Sequence, residues 1–168
     1  MANIMAALGF VPGILTLAGD LGKCAAASII SFLLFREEGW IVVLYAGLGC
    51  TLGHDFPFWR RFSGGKGVAT TSAAIVLYCF LPGLAANIAG MLIVFLTKYL
   101  CLGGPAIPFS FLILMLLKGE QEAAAIAGVL TILSVSKHMG AILGIRQNAT
   151  KKTDVLRAIK KKGRSLFS

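Results

Sequence analysis

A chain of 168 residues, 57% of them hydrophobic and only 14% charged, with a mean hydropathy of +0.84, has too few polar groups to cover a soluble domain, for which ~45–50% apolar and ~25% charged residues are usual. The formal charge of +9 and the pI of about 9.7 fit a nucleic-acid binder at first sight, but the long apolar runs exclude that class, and disorder with it. Much of the surface must face lipid.

Apolar runs between charges and breakers predict six helices, at about 11–35, 40–54, 67–81, 83–98, 104–117 and 121–138. The fold class is an all-α, polytopic membrane bundle. Several runs fall short of the ~20 residues that a ~30 Å hydrocarbon core asks for, so they extend into loops, sit in thinned bilayer or stop inside the bundle. No charge lies between Met1 and Gly19, which argues against a cleavable signal with a basic n-region. The first helix carries Asp20 and Lys23, three residues apart on one face, where each neutralises the other. Ions inside a membrane cost ~2.5–3.5 kcal/mol each on insertion scales. This pair therefore either glues helices together or lies in or under a polar site. Cys24, Cys50, Cys79 and Cys101 stand singly in apolar segments, with no C-x-x-C spacing, so no metal or redox centre is expected.

At the other end, eight of the sixteen bases lie between Arg146 and Arg164, opposed only by Asp154. The positive-inside rule makes 141–168 a basic cytoplasmic tail, attracted to anionic headgroups by ~1 kcal/mol per base, behind a membrane-embedded domain at 1–140. An even number of spans then puts the N-terminus, the 55–66 loop and Lys98 in the cytoplasm. Arg36 to Gly39, a turn at Pro82-Gly83 and Lys118 to Glu122 face outward.

The stretch from Gly53 to Thr70 carries the densest chemistry. Gly64, Gly65 and Gly67 free the backbone to turn N–H groups toward an anion, and Lys66 adds a cation where the next helix opens with its positive dipole end. A Walker A loop does not fit, because its first glycine falls on Arg60 and its hydroxyl on Gly67. Phe56, Pro57, Phe58, Trp59 and Phe62 suit a loop fixed at headgroup level, and His54 ends the preceding helix.

Gly53-His54-x-Phe56-Pro57 followed by Phe62-x-Gly64-Gly65-Lys66-Gly67-Val68-Ala69-Thr70 resembles the central signature of the bacterial acyl-phosphate:glycerol-3-phosphate acyltransferases, the PlsY family of integral membrane enzymes. Upstream, Asn3-Ile4 and Leu8-Gly9 resemble the end of its first motif. Gly19-Asp20-Leu21-x-Lys23 resembles its G-D-x-x-K-G, with Cys24 at the last glycine. His138 and Ile142 match part of the third motif. Relative to that pattern the usual first helix and the S-G-N segment would lie before Met1, Ala6 stands at an arginine, and Ala141 and Gly144 stand at an asparagine and an arginine.

The resemblance implies acyl transfer from acyl phosphate to the 1-hydroxyl of glycerol 3-phosphate, giving lysophosphatidic acid at the cell inner membrane, with no cofactor, metal or nucleic acid. It makes Lys66, His54 and His138 the candidate catalytic residues. Gly64, Gly65, Lys66, Gly67 and Thr70 would bind substrate phosphate, and Asn3, Asp20 and Lys23 would support them. No protein nucleophile is implied, and the H-x-x-x-x-D pair of other glycerolipid acyltransferases is absent, since Trp59 stands where its aspartate would be. The missing polar groups predict weaker turnover than in a full family member. They leave open a noncatalytic or truncated paralogue acting as a binding partner; a small transporter using Asp20 and Lys23 is a further alternative.

Overall fold

The computed structural model describes residues 9–147 and 149–150. Asn3 and the tail from 151 onward lie outside them. Six α-helices follow in order: α1 (Phe10–Leu34), α2 (Ile41–Asp55), α3 (Val68–Tyr78), α4 (Phe80–Thr97), α5 (Leu100–Lys118) and α6 (Gln121–Arg146). Single 3-10 turns at Arg36–Glu38 and Phe58–Arg60 sit in the two links flanking α2. Of the six, α1, α4, α5 and α6 are long and apolar enough to cross a membrane. The 15-residue α2 and 11-residue α3 are short.

Among the boundaries that differ from expectation, including the start of α5 at Leu100 rather than 104, two have definable reasons. The turn expected at Pro82-Gly83 is inside a helix: the chain breaks at Cys79, in an extended conformation, and α4 begins at Phe80. Pro82 is then a first-turn residue, where a missing N–H costs no hydrogen bond. At the other end, α6 runs eight residues beyond His138 to Arg146, because nothing in Met139 to Ile145 breaks a helix.

Short links make sequential helices antiparallel neighbours. α3 is the hub, packing on α1, α2, α4 and α5, while α6 packs on α5 and α2. Lipid is as apolar as a leucine side chain, so helices here associate through close approach rather than a hydrophobic drive. Gly47 of α2 meets Ala74 of α3 with no room for a side chain, and Gly90 of α4 meets Gly103 and Ile107 of α5 in the same way. Around these contacts Leu44, Ile75, Ala86, Phe111, Met115, Ala127 and Leu130 form the buried core. Leu33, Leu96, Leu117 and Ile132 point outward, where lipid would cover them.

One offset positions the site. α2 ends at Asp55, level with Lys23 of α1 and Lys137 of α6, whose side chains reach its last residues. α1 extends ten residues to the N-terminal side of Asp20, about 15 Å of helix, and α6 runs on for about 12 Å past His138. Both helices therefore continue past the end of α2 on the side of the 56–67 loop.

Candidate active site

The last carbonyl groups of a helix need donors from outside it. At the end of α2, Gly64 N–H donates to the Asp55 carbonyl (3.2 Å) and Gly65 N–H to the His54 carbonyl (3.1 Å). The Lys137 ammonium donates to the same Asp55 carbonyl and lies 3.8 Å from the centre of the Phe56 ring. These bonds fold the loop back onto α2. Its tip is braced by Phe62 N–H to the Pro57 carbonyl (3.1 Å) and Ser63 N–H to the Arg60 carbonyl (3.0 Å). Arg61 and Phe62 are both left-handed there (φ 50° and 58°), a conformation bulky residues seldom adopt. Phe58, Trp59 and Phe62 are 76%, 70% and 64% exposed, so their rings do not pin the loop to the protein. Phe58 and Trp59 instead pack edge to face, 4.9 Å apart.

This folding changes which amides face outward. The N–H groups of Gly64 and Gly65 are spent on α2, whereas those of Lys66, Gly67, Val68, Ala69 and Thr70 make no hydrogen bond among the described residues. Thr71 N–H is the first to turn inward, to the Gly67 carbonyl at 2.9 Å. Of these five unbonded amides, those of Lys66, Val68 and Ala69 belong to residues with exposed surface, whereas Gly67 and Thr70 are buried; at a helix N-terminus, with the helix dipole behind them, such amides suit an anion. Gly67 makes the turn possible through φ 62°, and a side chain there would lie 2.8 Å from Asp55 Oδ1 and from the Thr51 methyl. Lys66 is exposed beside these amides.

The Thr70 hydroxyl is committed elsewhere. It is buried, donates to the Gly67 carbonyl (3.0 Å) and accepts from the Thr51 hydroxyl (3.1 Å), so the side chain has no hydrogen left to offer an anion. Cys24 of α1 lies behind it, with Sγ 3.6 Å from the Thr70 carbonyl. Asp20 and Lys23 do more than face each other. Lys23 Nζ lies 2.7 Å from Asp20 Oδ1 and 2.8 Å from His54 Nδ1, which ties α1 to the end of α2. The far edge of the His54 ring touches Gly65, where a side chain would collide with Nε2.

His138 approaches from α6. It is buried, with Nδ1 2.8 Å from the Ser134 carbonyl, and its other edge lies against Gly104 of α5. That bond suits a helix-end histidine tied to a carbonyl. Gly104 also lies against Val68 at the start of α3, which brings the ring to the edge of the loop. The structure thus gathers Lys66, His54, His138, Gly64, Gly65, Gly67, Thr70, Asp20 and Lys23 at one end of the bundle.

Sequence reasoning missed Lys137 and the carboxylate of Asp55. Asp55 is 1% exposed, and neither of its oxygens has a hydrogen-bond partner among the described residues. A signal for Lys137 was present, since it is the one base between Gln121 and Ile145, and a lone base in an apolar helix marks a polar site.

Known proteins resemble this chain in sequence and in fold. The sequence profile of a family described as glycerol-3-phosphate acyltransferase matches residues 1–148. Glycerol-3-phosphate acyltransferase 1 of Lactobacillus johnsonii is 35% identical over 161 residues, covering 96% of this chain and 78% of the relative. Glycerol-3-phosphate acyltransferase of Shouchella clausii is 33% identical over 154 residues, covering 87% and 75%. Among solved structures, the glycerol 3-phosphate form of PlsY (YgiH), an integral membrane glycerol 3-phosphate acyltransferase, superposes with a TM-score of 0.82 at 24% identity, over 94% of this chain and 79% of that one. That likeness extends the match to the fold.

Proposed function

The chain belongs to the glycerol-3-phosphate acyltransferase family, and from that membership we propose that it transfers a fatty acyl group from acyl phosphate to the 1-hydroxyl of glycerol 3-phosphate. The product is lysophosphatidic acid for phospholipid synthesis. Similar solved structures are described as glycerol 3-phosphate and lysophosphatidic acid forms. The observation that carries the reading here is the run of unbonded amides that begins at Lys66, at the start of α3 and beside the exposed Lys66 ammonium, a combination that suits a phosphate.

An acyl phosphate is already activated, so the chain has little covalent work to do. The glycerol oxygen attacks the acyl carbon, the bond from that carbon to the phosphate oxygen breaks, and the departing phosphate takes the hydroxyl proton. The protein's part is to hold two anions side by side and to stabilise charge as it develops. In this reading Lys66 and the α3 amides grip a phosphate, His54 and His138 orient substrate from α2 and α6, and Asp20 with Lys23 braces His54.

The topology we assign has six spans, with both termini and the 56–67 loop in the cytoplasm of a plasma-membrane protein, and the short α2 and α3 held within the bundle. Phe58, Trp59 and Phe62 then seat in the headgroup layer. The activity is tested with purified chain in detergent, supplied with acyl phosphate and labelled glycerol 3-phosphate. Labelled lysophosphatidic acid and free phosphate should form in equal amounts, and neither should form with the acyl phosphate withheld. A protein that binds glycerol 3-phosphate yet forms no product would return the noncatalytic reading. A cysteine placed at Glu38 should react with an impermeant reagent from outside the cell, and one placed at Ser63 should not.

A further inference from the structure

The chain has two histidines, and the structure gives their Nδ1 atoms opposite partners. His138 Nδ1 lies 2.8 Å from the Ser134 carbonyl oxygen. A carbonyl only accepts, so Nδ1 carries the hydrogen there and Nε2 keeps its lone pair. His54 Nδ1 lies 2.8 Å from Lys23 Nζ and 3.3 Å from Asp20 Oδ1. An ammonium only donates and a carboxylate only accepts, so these two contacts call for different states of the same nitrogen.

Lys23 resolves the conflict. Its ammonium has three hydrogens: one goes to Asp20 Oδ1 at 2.7 Å and a second to His54 Nδ1 at 2.8 Å. Asp20, with a side chain 9% exposed, then has its donor and asks nothing of the ring. We infer that Lys23 fixes His54 as the neutral tautomer with its proton on Nε2, the edge that lies against Gly65, next in the chain to Lys66. The familiar alternative, an imidazole donating from Nδ1 straight to a carboxylate, is displaced by the interposed lysine.

The catalytic consequence rests on the acyltransferase reading. His54 adds one neutral N–H donor to the amides that receive phosphate and has no free lone pair with which to act as a base. Lys23 is a positioning residue, working through the ring it orients.

The test is nitrogen-15 NMR of the full chain labelled at histidine, in detergent micelles near neutral pH, with His138→Gln used to assign the two rings. One ring should show the Nε2–H pattern (His54) and the other the Nδ1–H pattern (His138). In Lys23→Met, Asp20 becomes the direct partner of His54, and its signals should change to the Nδ1–H or the doubly protonated pattern. Lys23→Arg, which can only donate, should keep the original pattern. An Nδ1–H or doubly protonated His54 in the unsubstituted protein overturns the inference, and so does an unchanged pattern in a folded Lys23→Met protein. In the acylation assay Lys23→Met should lower kcat about tenfold, the worth of one hydrogen bond, with partial rescue by Lys23→Arg. Absence of acylation altogether would sink the activity while leaving the ring states readable, so the two failures are distinguishable.

Discussion

The two ends of this bundle both carry polar groups, and they treat them differently. At the end where α3 and α5 stop, Tyr78 donates to Glu120 at 2.8 Å, Lys118 pairs with the same carboxylate at 2.7 Å, Tyr45 donates to Glu122 at 2.9 Å and the Trp40 indole donates to the Tyr78 carbonyl at 2.8 Å. Each of these groups finds its partner on a neighbouring element, so the network acts as a clasp. At the loop end, five amides, a lysine and a buried carboxylate have no such partner among the described residues. Folding pairs this cluster at one end and leaves donors unbonded at the other. Open donors collected at a helix N-terminus are the mark of a place where something else binds.

The largest expected effect follows from removing the loop end's cation. Lys66→Ala should lower acyl transfer by ~10²–10³, the usual cost of losing one charge-stabilising group from an acyl-transfer site. Its melting temperature in detergent should match that of the unsubstituted protein, because an exposed lysine has little packing to lose. A matching loss of stability would erase the contrast between the ends.

Gly67→Ala is the next largest. It adds the left-handed penalty of about 1–2 kcal/mol and pushes a methyl group toward Asp55 Oδ1, displacing the start of α3. The KM for the phosphate substrates should rise about tenfold by that same energy, with a smaller change in kcat; an unaltered KM would mean that the amides from Lys66 to Thr70 do not hold phosphate.

The clasp should behave in the reverse way. Tyr78→Phe removes its bond to Glu120 and should cost about 0.5–1.5 kcal/mol of stability, read as a lower melting temperature, while kcat and KM stay put.

The smallest effect is in pH. The hydrogen bond from Lys118, followed by that from Tyr78, holds the Glu120 carboxyl below the ordinary carboxylate range. The fold thus favours the ionised form: this contribution is complete above the unfolded value of ~4.3 and fades as pH drops through the lower folded value. Melting temperatures measured from pH 6 down to pH 3 should fall slightly more for the unsubstituted protein than for Glu120→Gln.

Much of this organisation was legible in the residue order, and the reasons differ by element. Each of the six predicted helices overlaps an observed one because charges and breakers flank them, and Asp20 with Lys23 read as a pair because helix geometry alone brings them together. Pro82 misled because a proline marks a turn and a helix's first turn equally well. The fate of the Gly64 and Gly65 amides was hidden, since glycine content says that a backbone can turn but not which carbonyl will claim it. Lys137 meets Asp55 across 82 positions, a contact that only the packing of α6 against α2 creates. The Lys23 to His54 bond, 31 positions apart, was hidden in the same way.

The overhang of α1 and α6 beyond the end of α2 has a kinetic consequence. Mobile ions screen charges over ~8 Å at physiological ionic strength, less than the length of helix that α1 extends beyond Asp20. A phosphate approaching from bulk water is steered through a region where added salt weakens the pull of Lys66. Once seated on the α3 amides it is held by direct contacts, far shorter than the screening length, which added ions weaken much less. Raising the salt concentration should therefore slow capture of the anionic substrates, visible as a falling kcat/KM, while the lifetime of the captured complex stays nearly constant. The overhang separates a salt-sensitive arrival from a salt-insensitive hold.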